Sequence, residues 1–153
     1  MDEVIISTHI PYREGIFLCF TSRENQCTHV GNNSKAHSVR QFRIDGEVFP
    51  KGKGPQRCDY LLVNDTNKTS FYIELKGSDI AKAIQQIDNS VRLISSSLPG
   101  YAIYRRIVYR SGTHGIKNST AIRWRAKYKH ENEVRIERTK IEDDISLPHP
   151  NWK

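Results

Sequence analysis

An α/β fold, with a central mixed sheet of four or more strands and one long helix packed on it, is predicted by three features of the chain. Residues 70–77 alternate apolar and polar side chains at the period of a strand. Residues 78–98 carry an apolar stripe at the period of a helix. A second strand-like run, residues 102–110, follows that helix, and strand, long helix, strand is the pattern of a parallel crossover. The 153 residues suffice for one domain with a real core, expected over 1–142. Residues 143–153 end in Pro148-His149-Pro150 and read as a loose C-terminal tail.

In chain order, Ile16-Phe17-Leu18-Cys19-Phe20 is a short apolar run, expected as a buried strand, and Cys19 is expected in the core. Thr21 to Ser38 is polar and predicts a loop or weak helix. Val39 to Ile44 alternates, with Val39, Gln41 and Arg43 on one face and Arg40, Phe42 and Ile44 on the other. Asp45-Gly46 is a hairpin-turn dipeptide, after which Glu47-Val48-Phe49 is expected to resume extended structure up to Pro50. Lys51 to Arg57 is a basic, Gly- and Pro-containing loop; without GxxxxGK[ST] it is not a P-loop, although Lys51, Lys53 and Arg57 suit a phosphate backbone. Tyr60 to Val63 is apolar at every position, as in a central strand covered on both faces. The polar stretch Asn64–Ser70 connects it to the strand at 70–77.

Ser78 is the expected N-cap of the long helix, with Asp79 in its first turn and Pro99-Gly100 at its end. Ile80, Ala83, Ile84, Ile87, Val91, Ile94 and Leu98 form the stripe that packs on the sheet. From Thr120 to Lys129, Ile122, Trp124, Ala126 and Tyr128 alternate with Arg123, Arg125, Lys127 and Lys129. That period of two predicts a strand with four cations on one face, pairing back with Val134–Glu137 as a basic C-terminal β-hairpin.

The chemistry centres on Asp59 and Glu74-Leu75-Lys76. Phe71, Ile73 and Leu75 share one face of their strand, whereas Tyr72, Glu74 and Lys76 share the other, so the Glu and Lys heads emerge about 7 Å apart. Burying either charge unpaired costs several kcal/mol. If the neighbouring strand pairs across the 64–70 loop, Asp59 joins them at the open end of the hairpin. Two adjacent carboxylates repel, a divalent cation relieves the repulsion, and oxygen donors favour Mg²⁺ or Mn²⁺ over zinc. The plain alternative is a surface ion pair on an exposed strand, worth about 0–1 kcal/mol. Cys19, Cys27, His29 and His37 match no common zinc spacing.

Asp59, a strand and loop, then Glu74-x-Lys76 and a helix carrying Ala83, Gln86 and Ile87 together resemble the core signature of the restriction-endonuclease-like, PD-(D/E)XK, nuclease superfamily. The resemblance covers residues 39–110. It implies Mg-dependent phosphodiester hydrolysis of DNA, with Asp59, Glu74 and the Leu75 carbonyl as metal ligands, Lys76 activating water, and Gln86 assisting on the helix. Asp45, Glu47, Glu24 and Glu14 are the candidates for a further acidic ligand.

Charge agrees with a polyanionic partner. The formal net charge is +7 with pI ≈ 9.4. Residues 101–140 hold eleven Lys/Arg against three Glu, whereas the first hundred hold twelve against eleven acids. Arg123, Arg125, Lys127 and Lys129 are therefore the expected nucleic-acid contacts alongside Lys51, Lys53 and Arg57. No run of 18 apolar residues suggests a membrane span, and an odd number of cysteines without CxxC fits a reducing, cytoplasmic setting. Cutting both strands of a duplex with so small a chain would call for a homodimer; otherwise the enzyme would nick a strand or resolve a structure. Two other classes fit the sequence: a nuclease-like module that binds nucleic acid without cleaving it, and a subunit docking on a larger complex.

Overall fold

The computed structural model describes residues 6–51, 54–111, 119–128 and 130–147. In chain order the strands are β1 (Arg13–Gly15), β2 (Cys19–Glu24), β3 (Cys27–Asn32), β4 (Val39–Arg43), β5 (Tyr60–Asn64), β6 (Thr69–Lys76), β7 (Ala102–Tyr109), β8 (Val134–Arg138) and β9 (Lys140–Asp144). Helix α1 (Ile80–Ile94) lies between β6 and β7, and α2 (Ser119–Ala126) between β7 and β8. A six-stranded mixed sheet in the order β1-β4-β5-β6-β7-β8 is the middle layer, and a three-stranded sheet β2-β3-β9 forms a second.

Strands β4, β5 and β6 are antiparallel neighbours, whereas β6, β7 and β8 run parallel. The parallel half follows from the two helical crossovers, since a tight turn cannot return the chain in the same direction. Each face of the large sheet has its own core. On the helix side Leu61, Val63 and Tyr72 pack with Ile80, Ala83, Ile84 and Ile87. On the other side Leu62, Phe71, Ile73 and Leu75 pack with Phe20, Cys27, Ile141 and Ile145 of the smaller sheet and its flank. Double coverage explains why β5 is apolar at successive positions and why β6 is buried at every residue from Thr69 to Leu75.

The smaller sheet comes close to the larger at Gly31, where a Cβ would lie 2.9 Å from Leu62 Cδ1 and 3.3 Å from Ile145 Cδ1. Gly31→Val is expected to destabilise the protein by about 1–3 kcal/mol through overpacking, read as a lower midpoint in urea.

Helix α1 follows its periodicity but ends at Ile94, before a 3₁₀ turn over Ser95–Ser97, rather than at Pro99-Gly100, and the cap is Asp79 rather than Ser78: the Asp79 carboxylate accepts from the Lys82 amide at 3.0 Å. Several other expectations change. The 120–129 segment is not a strand. Ala121 and Trp124 are buried against α1, Trp124 Nε1 donates to Asp88 Oδ1 at 3.0 Å, and Ile122 is 53% exposed. A three-residue spacing places Ala121 and Trp124 on the same side of a helix, and burial there outweighs the alternation. The basic C-terminal β-hairpin therefore does not form: β8 pairs with β7 and β9 pairs with β3, both in parallel. The tail does not begin at 143, because Asp143, Ile145 and Ser146 are buried; residues 148–153 lie outside the described residues.

At the N-terminal side, Ile16 and Leu18 are 67% and 81% exposed and Cys19 is exposed, so only Phe20 of that apolar run enters the core. The polar stretch 21–32 folds as the β2–β3 hairpin, whose turn residues Asn25 and Gln26 take φ of 52° and 60°. Positive φ at both central positions is the turn that matches strand twist, and Asn tolerates it well. Asp45-Gly46 does not start a hairpin either. Residues 44–49 close a tight loop in which Phe49 N donates to Ile44 O at 3.0 Å and Gly46 N to Phe49 O at 2.7 Å.

Candidate active site

The β5–β6 register, with Tyr60 opposite Ile73, brings Asp59 against Glu74 at the rim of the large sheet. Asp59 N donates to Ile73 O at 3.1 Å, and Leu75 N donates to Asp59 Oδ2 at 2.9 Å, so the carboxylate is fixed to the edge of β6. Glu74 is on the helix-side face with Tyr72 and is only 2% exposed. That burial excludes the surface ion pair on an exposed strand. Its Oε1 is buried and accepts no hydrogen bond from the described residues. Lys76, half-buried, ends the strand.

Electrostatics follow from this crowding. Burial pushes the Asp59 carboxyl up to about 6; the Leu75 amide opposes the rise, and Glu24 and Asp45 add to it. Glu74 is raised well above the ordinary carboxylate range, first by burial and then by Asp59, with Lys76 pulling the other way. Two acids that resist ionising side by side form a site that lacks positive charge. The donors fit a hard divalent cation: oxygen only, two carboxylates, one of them with a buried oxygen lacking a partner. Among the described residues no group of three or more His, Cys, Asp or Glu is arranged for a metal. A two-carboxylate arrangement is one that Mg²⁺ tolerates, because it retains waters and takes further oxygens from a phosphate.

Two open clefts flank the acids and share Asp45. Glu24, Asp45, Glu47 and Asp59 line the first together with Arg43 and Lys51. Lys76, Lys82 and Gln86 line the second with the 54–57 loop. Of the candidate further acids, Glu24, Asp45 and Glu47 thus lie by Asp59, whereas Glu14 stands on the outermost strand opposite Arg40. Gln86 Nε2 donates to Arg57 O at 3.2 Å and so braces the loop leading into Asp59, while its Oε1 is buried without a partner among the described residues.

The expected nucleic-acid contacts divide. Lys51 is exposed at the cleft, with Nζ 3.9 Å from Glu24 Oε1. Arg57 is not a surface contact: it is 4% exposed, binds Asp45 Oδ1 at 2.9 Å and Pro55 O at 2.9 Å, and lies over the Phe49 ring. A guanidinium satisfied on so many loop groups holds the 45–57 loop together. Arg123 and Lys127 are exposed on and just after α2, but Arg125 is half-buried and donates to Ile136 O at 3.4 Å, so these three cations do not share a face. Lys53 and Lys129 lie outside the described residues.

Asn25 was not foreseen. At the tip of the β2–β3 hairpin, its Nδ2 donates to Leu75 O at 2.8 Å. The carbonyl expected as a metal ligand is thereby contacted from the smaller sheet. The polar Asn-Gln pair between alternating residues was the available signal, hidden because that stretch lacks an apolar face. Comparison with family models, curated proteins and solved structures returned no match for this chain.

Proposed function

We propose that the chain is a Mg²⁺- or Mn²⁺-dependent phosphodiesterase acting on nucleic acid, DNA in the first instance, with a restriction-endonuclease-like site. The supporting observation is the buried pair Asp59 and Glu74, with an unpartnered Glu74 oxygen and Lys76 two residues along the same strand. When bound, the cation supplies Lewis acidity and lowers the pKa of water. Asp59 and Glu74 hold it. Lys76 orients the attacking water and offsets charge developing on the phosphoryl oxygens. Asn25 fixes the Leu75 carbonyl, and Gln86 steadies the approach to Asp59.

The test is a cleavage panel of supercoiled, linear, branched and single-stranded substrates with Mg²⁺, Mn²⁺ or EDTA. Cutting that needs the metal and disappears in Asp59→Ala, Glu74→Ala and Lys76→Ala supports the assignment. Cutting undiminished in EDTA or in all three variants removes it. Binding without cutting would leave a non-cleaving module.

The cation itself gives a separate readout. Millimolar Mn²⁺ is expected to raise the melting temperature at pH 7.5 and to do so far less in Asp59→Asn. An equal rise in both proteins would place the ion elsewhere.

A further inference from the structure

The basic segment 101–140 separates into matched and unmatched cations. Arg106 binds Asp143 Oδ2 at 2.8 Å, Arg135 binds Asp143 Oδ1 at 2.9 Å, Lys140 binds Glu142 at 2.9 Å, and Arg105 lies over the Tyr128 ring. Arg110 and Arg138 are exposed, and no described carboxylate forms an ion pair with either. Arg123 and Lys127 share that status at α2.

Position distinguishes the two pairs. Strand register aligns Lys76 with Tyr109 and Tyr109 with Arg138, so these residues form a row across the parallel strand ends. With strands about 4.8 Å apart, Lys76 and Arg138 lie roughly 10 Å from each other along the rim. Arg110 N donates to Lys76 O at 3.3 Å and to Gly77 O at 3.2 Å, which fastens that residue beside the strand carrying Glu74. Arg138 Nε donates to Arg110 O at 3.2 Å, and Arg110 Nη1 to Gln26 Oε1 at 3.4 Å. By contrast α2 is tied to Asp88, about 12 Å along α1 from the helix start.

We propose that Arg110 and Arg138 are the phosphate-contacting edge of this site, where the backbone of a nucleic acid strand lies next to the position of cleavage. The proposal rests on the phosphodiesterase assignment for its substrate class, and it moves the contact from α2 to the β7–β8 rim. A guanidinium matches phosphate oxygens through two parallel hydrogen bonds, and both rim cations are free of competing acids among the described residues. An acidic centre repels a polyanion, so cations on the same rim are needed to hold the strand there.

The experiment is fluorescence anisotropy with labelled oligonucleotides about 30 nucleotides long, single- and double-stranded DNA and RNA, in Ca²⁺ over a range of NaCl. Arg110→Gln/Arg138→Gln is expected to weaken binding at least about tenfold and to reduce the log–log salt slope by about two. Arg110→Lys/Arg138→Lys should retain most of the slope, showing that charge rather than folding is read. Arg123→Gln/Lys127→Gln should change affinity less than about twofold. An unchanged slope in the Arg110/Arg138 glutamine variant, or a loss confined to the α2 variant, overturns the proposal, as does failure of the wild type to bind any of the probes. Rim-dependent binding by a protein that cuts nothing would uphold the rim and overturn hydrolysis instead, so the two failures are distinguishable.

Discussion

Asp59→Asn is expected to abolish cleavage, by at least about 10³-fold, while making the metal-free protein more stable. The two effects share a cause. A carboxyl pushed up to about 6 disfavours the folded state wherever it is ionised. The sign follows from the direction of the change. Below about pH 4 the group is protonated whether folded or unfolded and adds no penalty. Between about pH 4 and 6 the unfolded chain ionises first, so stability falls as pH rises; above about pH 6 the penalty is complete. A rise from the ordinary carboxylate value to about 6 corresponds to at most about 3 kcal/mol. The asparagine should remove that loss, and its side-chain oxygen can still accept from the Leu75 amide. Urea titrations at pH 4.5 and 7.5 check it. A variant no more stable than the wild type at pH 7.5, or one that still cuts, would show that Asp59 is not held in the site against its own charge.

The second large effect is structural. Asp143 is 1% exposed and lies between His29 Nε2 at 2.7 Å, Arg106 Nε at 2.8 Å and Arg135 Nη1 at 2.9 Å. His29 and Arg106 are themselves fully buried. Burial opposes the Asp143 charge, but Arg106 and His29 outweigh it and hold the carboxyl well below its ordinary range. Arg106→Met leaves that carboxylate short of its main partner, and Asp143→Leu leaves the buried guanidinium short of its own. Each is expected to cost about 3–5 kcal/mol. Here the pH dependence runs the other way: the contribution is present above about pH 4 and is lost as pH falls toward the depressed folded value. The double replacement Arg106→Met/Asp143→Leu should recover part of the loss, because the buried guanidinium and carboxylate leave together, although His29 and Arg135 still lose Asp143. Denaturation midpoints for the singles and the double measure this. A double mutant as damaged as the sum of the singles would mean that the cluster does not act as a pair.

How much of this was legible in the sequence depended on which periodicity carried burial. Residues 60–63 were readable because both faces are covered, residues 70–76 because apolar and polar side chains alternate, and the 80–94 stripe because one face is buried. Asp59, Glu74 and Lys76 came with them, since strand pairing alone decides which end of a hairpin each occupies. The β2–β3 hairpin was not readable: Ser22, His29 and Asn33 are buried polar residues, and Ser22 and His29 find partners in Gln41 and Asp143 far along the chain. Residues 120–128 misled because Arg and Lys at alternate positions imitate a strand, when the decisive contacts were those of Ala121 and Trp124 with α1. Arg110 and Arg138 could not be singled out, since composition does not reveal which cations already have acids beside them.

The pairing of β3 with β9 sets a timetable for synthesis. Residues 28–32 wait for residues 140–144 before the small sheet is complete, and that sheet covers the reverse side of the strand carrying Glu74. A ribosome-bound chain therefore exposes the apolar underside of β6 until residues 140–144 have emerged. A chain cut short before residue 140 would keep that underside bare and should be prone to self-association.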